Sequence, residues 1–349
     1  MFAKATIDKI RSSSAAMEKG GKLSLFVLDF IYKEKLFKLF VPKEVGGKML
    51  PLPDALHIFE EASRIDGNLG WAVTIGSGGG YFYAYMQTKT AKKVFADKKA
   101  VIAGSGHPNA IATKTKRGYK VTGQWKYASG APYATAFTAN AMIKGSNKML
   151  AFTFLPAQVS ILKDWNAFGM RATESHSFKV TNAFVPNEMT FDLSNKSLYY
   201  KSPIYQYPFL QFAEASFAAV AIGLGKHFME EAHTMLKNYK AVWGAKSERY
   251  RFVKTKVKYA EEMMQEAIDT FYKVANKSWD KMLKEGKLKT KFQHNVSKTS
   301  RETSATVLAY ADGLIQYLGM QAVMQGSNIN RVWRDMHTAC QHVLLVPTK

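Results

Sequence analysis

Apolar positions recur at helical spacing at the start of the chain, at Ile7 and Ile10 and then at Leu25, Leu28 and Ile31. The run Leu36-Phe37-Lys38-Leu39-Phe40-Val41-Pro42, closed by Gly46-Gly47, predicts a tight extended passage. Pro53 and Asp54 open a second helix that carries Leu56, Phe59, Ala62 and Ile65 inward and stops at Asp66-Gly67-Asn68. A third helical stretch runs from near Leu69 past Tyr85 and contains Gly76-Ser77-Gly78-Gly79-Gly80. A dinucleotide-binding loop needs a strand before it, and a helical pattern precedes this one. Each glycine inside a helix costs about 1 kcal/mol relative to alanine. Their clustering therefore predicts either close approach of another backbone or flat ligand, or a broken helix.

From Val101 to Val185 the period changes to alternation. Strands are predicted at Val101 to Gly104, Tyr119 to Tyr127, Ala136 to Ile143, Met149 to Leu155 and Phe178 to Val185. Turn residues at His107-Pro108-Asn109, Arg117-Gly118 and Gly145-Ser146-Asn147 separate them. In Gly118 to Gly130 (GYKVTGQWKYASG), Tyr119, Val121, Gly123, Trp125 and Tyr127 share one face, and the ladder stops at Ser129-Gly130-Ala131-Pro132 with a hydroxyl at its end.

After Ser202-Pro203 helical spacing returns, in stripes Phe217/Val220/Leu224/Phe228, Val253/Val257/Ala260/Met264/Ala267/Phe271/Ala275 and Val307/Tyr310/Leu314/Leu318. Gly286 and Gly319 sit where the second and third should end, and a last helix begins near Asn328. The expected architecture is α+β: an N-terminal helical domain over 1–98, a middle β-barrel or sandwich over 99–192, and a C-terminal four-helix bundle over 193–349.

Composition narrows the class. The 349 residues are 47% hydrophobic and 13% aromatic, enough for a large core. Lys and Arg number 49 against 27 Asp and Glu, a formal charge of +22. A basic nucleic-acid-binding protein is thus one reading, and a solvated lysine-rich surface is the other, because the charge is spread over several helix faces. A single cysteine, Cys340, and an N-terminus without an apolar core fit a cytoplasmic protein. The run Ala215 to Gly225 is too short to cross a bilayer. No Cys/His metal spacing or Gly-x-Ser-x-Gly elbow is present.

Five motifs carry the chemistry: LFKLFVPKEVGG (36–47), EASRIDGNLGWA (61–72), GYKVTGQWKYASG (118–130), WNAFGMRATESHSFKVTNAFVP (165–186) and RVWRDMHTACQH (331–342). Their order resembles the acyl-CoA dehydrogenase superfamily across nearly the whole chain. The Gly-Tyr-x-x-x-Gly-x-Trp-x-x-x-Ser-Gly strand and the closing Arg334-Asp335 with His342 are most similar to its two-component flavin monooxygenase branch. The resemblance implies FAD or FMN between the β domain and the bundle, supplied reduced by a partner reductase, and a homotetramer or dimer. It implies Trp125 and Ser129 beside the flavin ring, Trp165, Thr173 and Ser175 lining the pocket, and Gly104 and Ser105 in a second flavin-contacting loop. In that loop this chain lacks the family's usual acidic and proline pattern. Arg331 is implied to meet a phosphate, with an ordinary helix salt bridge as its alternative.

Acyl-CoA dehydrogenases of the commonest type place a glutamate beyond the Arg-Asp pair, since removing a proton α to a thioester needs a positioned carboxylate. Here Cys340-Gln341-His342-Val343 stands there, and no acidic residue follows Asp335. The resemblance to the monooxygenase branch implies His342 and Ser129 as the catalytic residues of a monooxygenase acting on a small organic substrate. An FAD-dependent acyl-CoA dehydrogenase, with Glu214, Glu230 or Glu231 as base, and a nucleic-acid-binding protein that kept the fold are the alternatives.

Overall fold

The computed structural model describes residues 2–195 and 197–346. Helices α1 (Lys4–Gly20), α2 (Leu25–Lys33), α3 (Leu52–Ile65), α4 (Gly67–Gly78) and α5 (Thr88–Phe95) come first. The strands follow: β1 (Ile102–Ser105), β2 (Ala110–Thr115), β3 (Gly118–Ala128), β4 (Ala136–Ile143), β5 (Met149–Phe154), β6 (Ser160–Leu162), β7 (His176–Pro186) and β8 (Thr190–Phe191). After a short α6 (Pro203–Gln206) come the long α7 (Phe209–Trp243), α8 (Glu248–Glu285) and α9 (Thr290–Ile315), then α10 (Asn328–Cys340). The helical, β, helical order matches the expected α+β architecture. No helix of the described residues is long and apolar enough to cross a membrane.

Two buried clusters organise the packing. The larger runs through the N-terminal helices and the bundle. The smaller fills the sheet, from Ala112 and Val121 through Trp125 and Phe137 to Phe178 and Val185. The sheet order is β6-β7-β3-β2-β4-β5-β8, with β1 parallel to β4. Strand β2, between two predicted turns, and the short β6 and β8 had no separate signal in the alternation.

The glycine run marks close packing. A Cβ at Gly76 would meet Phe37 Cδ1 at 2.3 Å, and one at Gly79 would meet Ile102 Cβ at 2.8 Å. The predicted third helix divides there, α4 ending at Gly78 and a 3₁₀ segment covering Gly79–Tyr85. Gly286 ends α8 in the left-handed region, φ 69°, as expected. Helix α9 stops before Gly319, at Ile315.

Strand β3 departs from strict alternation at its functional end. Its pairing with β7 shifts between Trp125 and Ala128, a bulge in which Tyr127 takes φ 66°. Tyr127 is consequently 65% exposed instead of inward. The bulge turns the chain so that Ser129 leaves the sheet facing the helical layers.

Candidate functional site

Three parts of the chain converge on Ser129. From α4, the Trp71 indole N–H donates to Ser129 Oγ at 2.9 Å. From the segment before β7, Ser175 Oγ lies 2.7 Å from Ser129 Oγ, and Thr173 Oγ1 lies 2.7 Å from Ser175 Oγ. Thr173 Oγ1 in turn donates to the Met170 carbonyl at 2.8 Å, which also accepts the Trp165 indole N–H at 2.9 Å. The Gly130 N–H donates to Thr173 O at 2.9 Å and fastens the end of β3 to this turn.

The protons of this chain have one order. A carbonyl only accepts, so Thr173 spends its proton on Met170 and accepts from Ser175; Ser175 then accepts from Ser129. Ser129 accepts from Trp71 and offers its remaining lone pair, with no proton left to give. A ligand atom meeting Ser129 Oγ must be a donor.

An aromatic wall stands beside the chain. Trp71 stacks on Phe217 of α7 with centroids 5.3 Å apart and planes at 16°. His342, just beyond α10, lies 4.2 Å from the Phe217 ring and 5.9 Å from Trp71. Burial, then the nearby His107, pushes the His342 pKa down to about 4, so the ring is neutral near pH 7. Its Nδ1 accepts the Leu344 N–H at 3.3 Å. The remaining proton therefore sits on Nε2, a neutral donor.

Backbone strain gathers here too. Tyr127, Met170 and Glu174 all have positive φ, at 66°, 52° and 47°, a conformation that costs of order 1 kcal/mol or more and persists only where surroundings enforce it. The half-buried Glu174 carboxyl is held above the ordinary range by burial, with Lys22 and Lys163 pulling it back.

The structure thus joins Ser129, Ser175, Thr173 and Trp165 in one connected set. Gly104 and Ser105 lie in β1, where Gly104 pairs with Thr138 and a Cβ would come within 2.5 Å of its carbonyl oxygen. The turn after β1 carries His107, whose charge acts on His342. Trp125 is corrected. It is 0% exposed, stacked on Phe178 at 5.0 Å, and its indole donates to the Asn140 carbonyl at 3.0 Å. It therefore has no surface to offer a flavin. Arg331 is buried, donates to Asn328 Oδ1 at 2.9 Å and does not meet the hydroxyl chain.

Sequence reasoning missed Trp71. It lies in the EASRIDGNLGWA motif, but α4 is buried on every side, so periodicity marks no inward face.

The carboxylates proposed as bases are occupied. Glu214 is fully buried, paired with Arg301 and accepting the Ser297 hydroxyl. Glu230 is held by Arg11 at 2.6 Å and by Arg64, and Glu231 lies 3.7 Å from His227.

Residues 215–347 match the family model for the acyl-CoA dehydrogenase C-terminal domain. An indole-3-acetate monooxygenase from Pseudomonas putida is 25% identical over 98% of this chain and 89% of its own. A flavin-dependent monooxygenase oxygenase subunit, HsaA, from Mycobacterium tuberculosis is 24% identical over 98% of this chain and 90% of its own. The crystal structure of 3-HSA hydroxylase from Rhodococcus sp. RHA1 has the same fold, with TM-score 0.91 at 17% identity over 98% of this chain and 91% of that one. The C-terminal part of the chain thus matches the acyl-CoA dehydrogenase C-terminal domain, and the relatives it resembles along nearly its whole length are monooxygenases, HsaA among them flavin-dependent.

Proposed function

We propose that this chain is the oxygenase component of a two-component flavin-dependent monooxygenase, receiving reduced FAD or FMN from a separate reductase and acting on a small organic substrate. Bound reduced flavin would supply two electrons to O2, so that one oxygen atom enters the substrate and the other leaves as water. The carrying observation is the neutral His342 donor beside an aromatic wall, with Glu214 and Glu230 held by arginines and Glu231 3.7 Å from His227. A dehydrogenase would need one of those carboxylates available as a base.

The proton order at Ser129 supports a reduced flavin, whose central ring carries an N–H donor where the oxidised ring has only an acceptor. Trp71 and Phe217 would hold a flat apolar partner and exclude water, and His342 Nε2 would donate to an oxygen that gains negative charge during the reaction. Phe252 and Tyr259 of α8, both more than half exposed and packed edge-on against Tyr317 and Tyr310, support self-association into the expected homo-oligomer.

The test is an anaerobic titration with oxidised and reduced FAD and FMN, followed by oxygen and a small aromatic acid such as indole-3-acetate. Tighter binding of reduced flavin and oxygen-dependent hydroxylation are expected. Binding of no flavin in either state, or tightly held FAD bleached by an acyl-CoA without oxygen, would overturn the reading.

A further inference from the structure

The Arg334-Asp335 pair on α10 touches none of the aromatic wall, yet both side chains reach the turn that ends the hydroxyl chain. Asp335 is 4% exposed, and its Oδ1 accepts the Met170 N–H. Arg334 donates to the Phe168 carbonyl at 2.6 Å and to Asn330 Oδ1 at 2.9 Å, and it is ion-paired with Glu18 of α1. Between them, Gly169 lies flat on α10: a Cβ there would fall 2.1 Å from the Arg334 carbonyl oxygen. The turn is thus gripped at consecutive peptide groups by consecutive residues of one helix.

What is gripped matters. The Met170 backbone has its N–H, in the peptide shared with Gly169, on Asp335 and its carbonyl, in the next peptide, under both the Thr173 hydroxyl and the Trp165 indole. That carbonyl obliges Thr173 to donate, which makes Ser175 donate to Thr173 and Ser129 donate to Ser175. Were Met170 to leave its left-handed conformation, its carbonyl would turn relative to the N–H that Asp335 holds, Thr173 would lose its fixed acceptor and the proton order would no longer be imposed. Met170 is held at φ 52°, a conformation that methionine leaves when nothing enforces it.

We propose that Asp335, assisted by Arg334, is a positioning residue that locks the backbone conformation of Met170 and thereby keeps Ser129 an acceptor. Asp66 belongs to the same lock. It caps α4 through the Asn68 and Leu69 N–H groups, at 2.9 and 3.1 Å, and so sets the helix that carries Trp71 to the other end of the chain. The ligand preference rests on the flavin reading above; the lock itself does not.

The experiment uses the full chain without flavin. Hydrogen–deuterium exchange is followed in peptides covering 165–176, with 253–282 of α8 as control. Asp335→Ala should raise exchange in 165–176 at least tenfold and leave α8 unchanged. Asp335→Asn, whose side-chain carbonyl can still accept from Met170, should stay within about twofold of wild type. In a parallel anaerobic titration with FMN, Asp335→Ala should narrow the preference for reduced over oxidised flavin about tenfold, and Asp335→Asn should keep it. If Asp335→Ala does not fold, Arg334→Gln, which frees Phe168, must give the same localised rise. Unchanged protection of 165–176, or a loss that Asn does not rescue, overturns the proposal. If wild type binds no flavin, the functional reading fails while exchange still decides the lock.

Discussion

Replacing His342 with asparagine isolates the proton linkage of the buried ring. Asparagine Oδ1 can take over from Nδ1 as acceptor of the Leu344 N–H, and asparagine does not titrate. The His342 pKa falls from 6.5 to about 4 in the folded chain, through burial and the proximity of His107. Between those two values the unfolded chain binds a proton that the folded chain refuses, so stability is lost as pH drops through that window and is unaffected above it. At about 1.4 kcal/mol per pH unit the ceiling is about 3 kcal/mol. Stopping at pH 4.5 and allowing for solvent at the ring's half-buried edge leaves about 2 kcal/mol. The lost contact with Phe217 costs the variant a similar amount at every pH and cancels in the difference. Urea unfolding at pH 7.5 and 4.5, followed by tryptophan fluorescence, should show wild type losing about 2 kcal/mol more than His342→Asn over that interval. Equal losses, or an NMR titration of the His342 ring near 6.5, would refute the reasoning that makes this histidine a neutral donor.

Other substitutions separate structural from functional roles. Ser129→Ala leaves the Trp71 N–H, buried at 9% exposure, without its acceptor and should cost about 1–3 kcal/mol in urea unfolding, with weakened flavin binding in titration. Trp125→Phe should cost about 1–3 kcal/mol through its lost bond to Asn140 and lost packing, while flavin affinity stays within about twofold; a large affinity loss at unchanged stability would restore the tryptophan to the site. Glu214→Ala removes the buried carboxylate shared by Arg301 and Ser297 and should destabilise by about 3–5 kcal/mol. A base would instead lose turnover with its melting temperature intact.

The limits of the sequence reading follow from what side-chain patterns encode. Alternation located β3 because its middle is half-buried, and it misassigned Tyr127 because a bulge adds a residue without changing the apolar spelling. The same bulge is what turns Ser129 toward Trp71, so the error and the site share one cause. As members of the candidate site, Ser129, Thr173 and Ser175 could be picked out through the order of their motifs, and His342 through the lack of an acid beyond Asp335. Their partners were not: Phe217 reads as one more position in a bundle stripe, and only the fold brings it 4.2 Å from the His342 ring. Least legible is the Met170 backbone, because the groups that Asp335 and Thr173 recognise are a backbone N–H and carbonyl that every residue except proline would supply. The carbonyl and N–H that the pair binds carry no sequence signature, and Glu18, the ion-pair partner of Arg334, stands at the far end of the chain. That is why the motif could be recognised in the sequence while its task could be argued only from the fold, where two adjacent side chains of α10 reach two carbonyl and amide groups flanking Gly169.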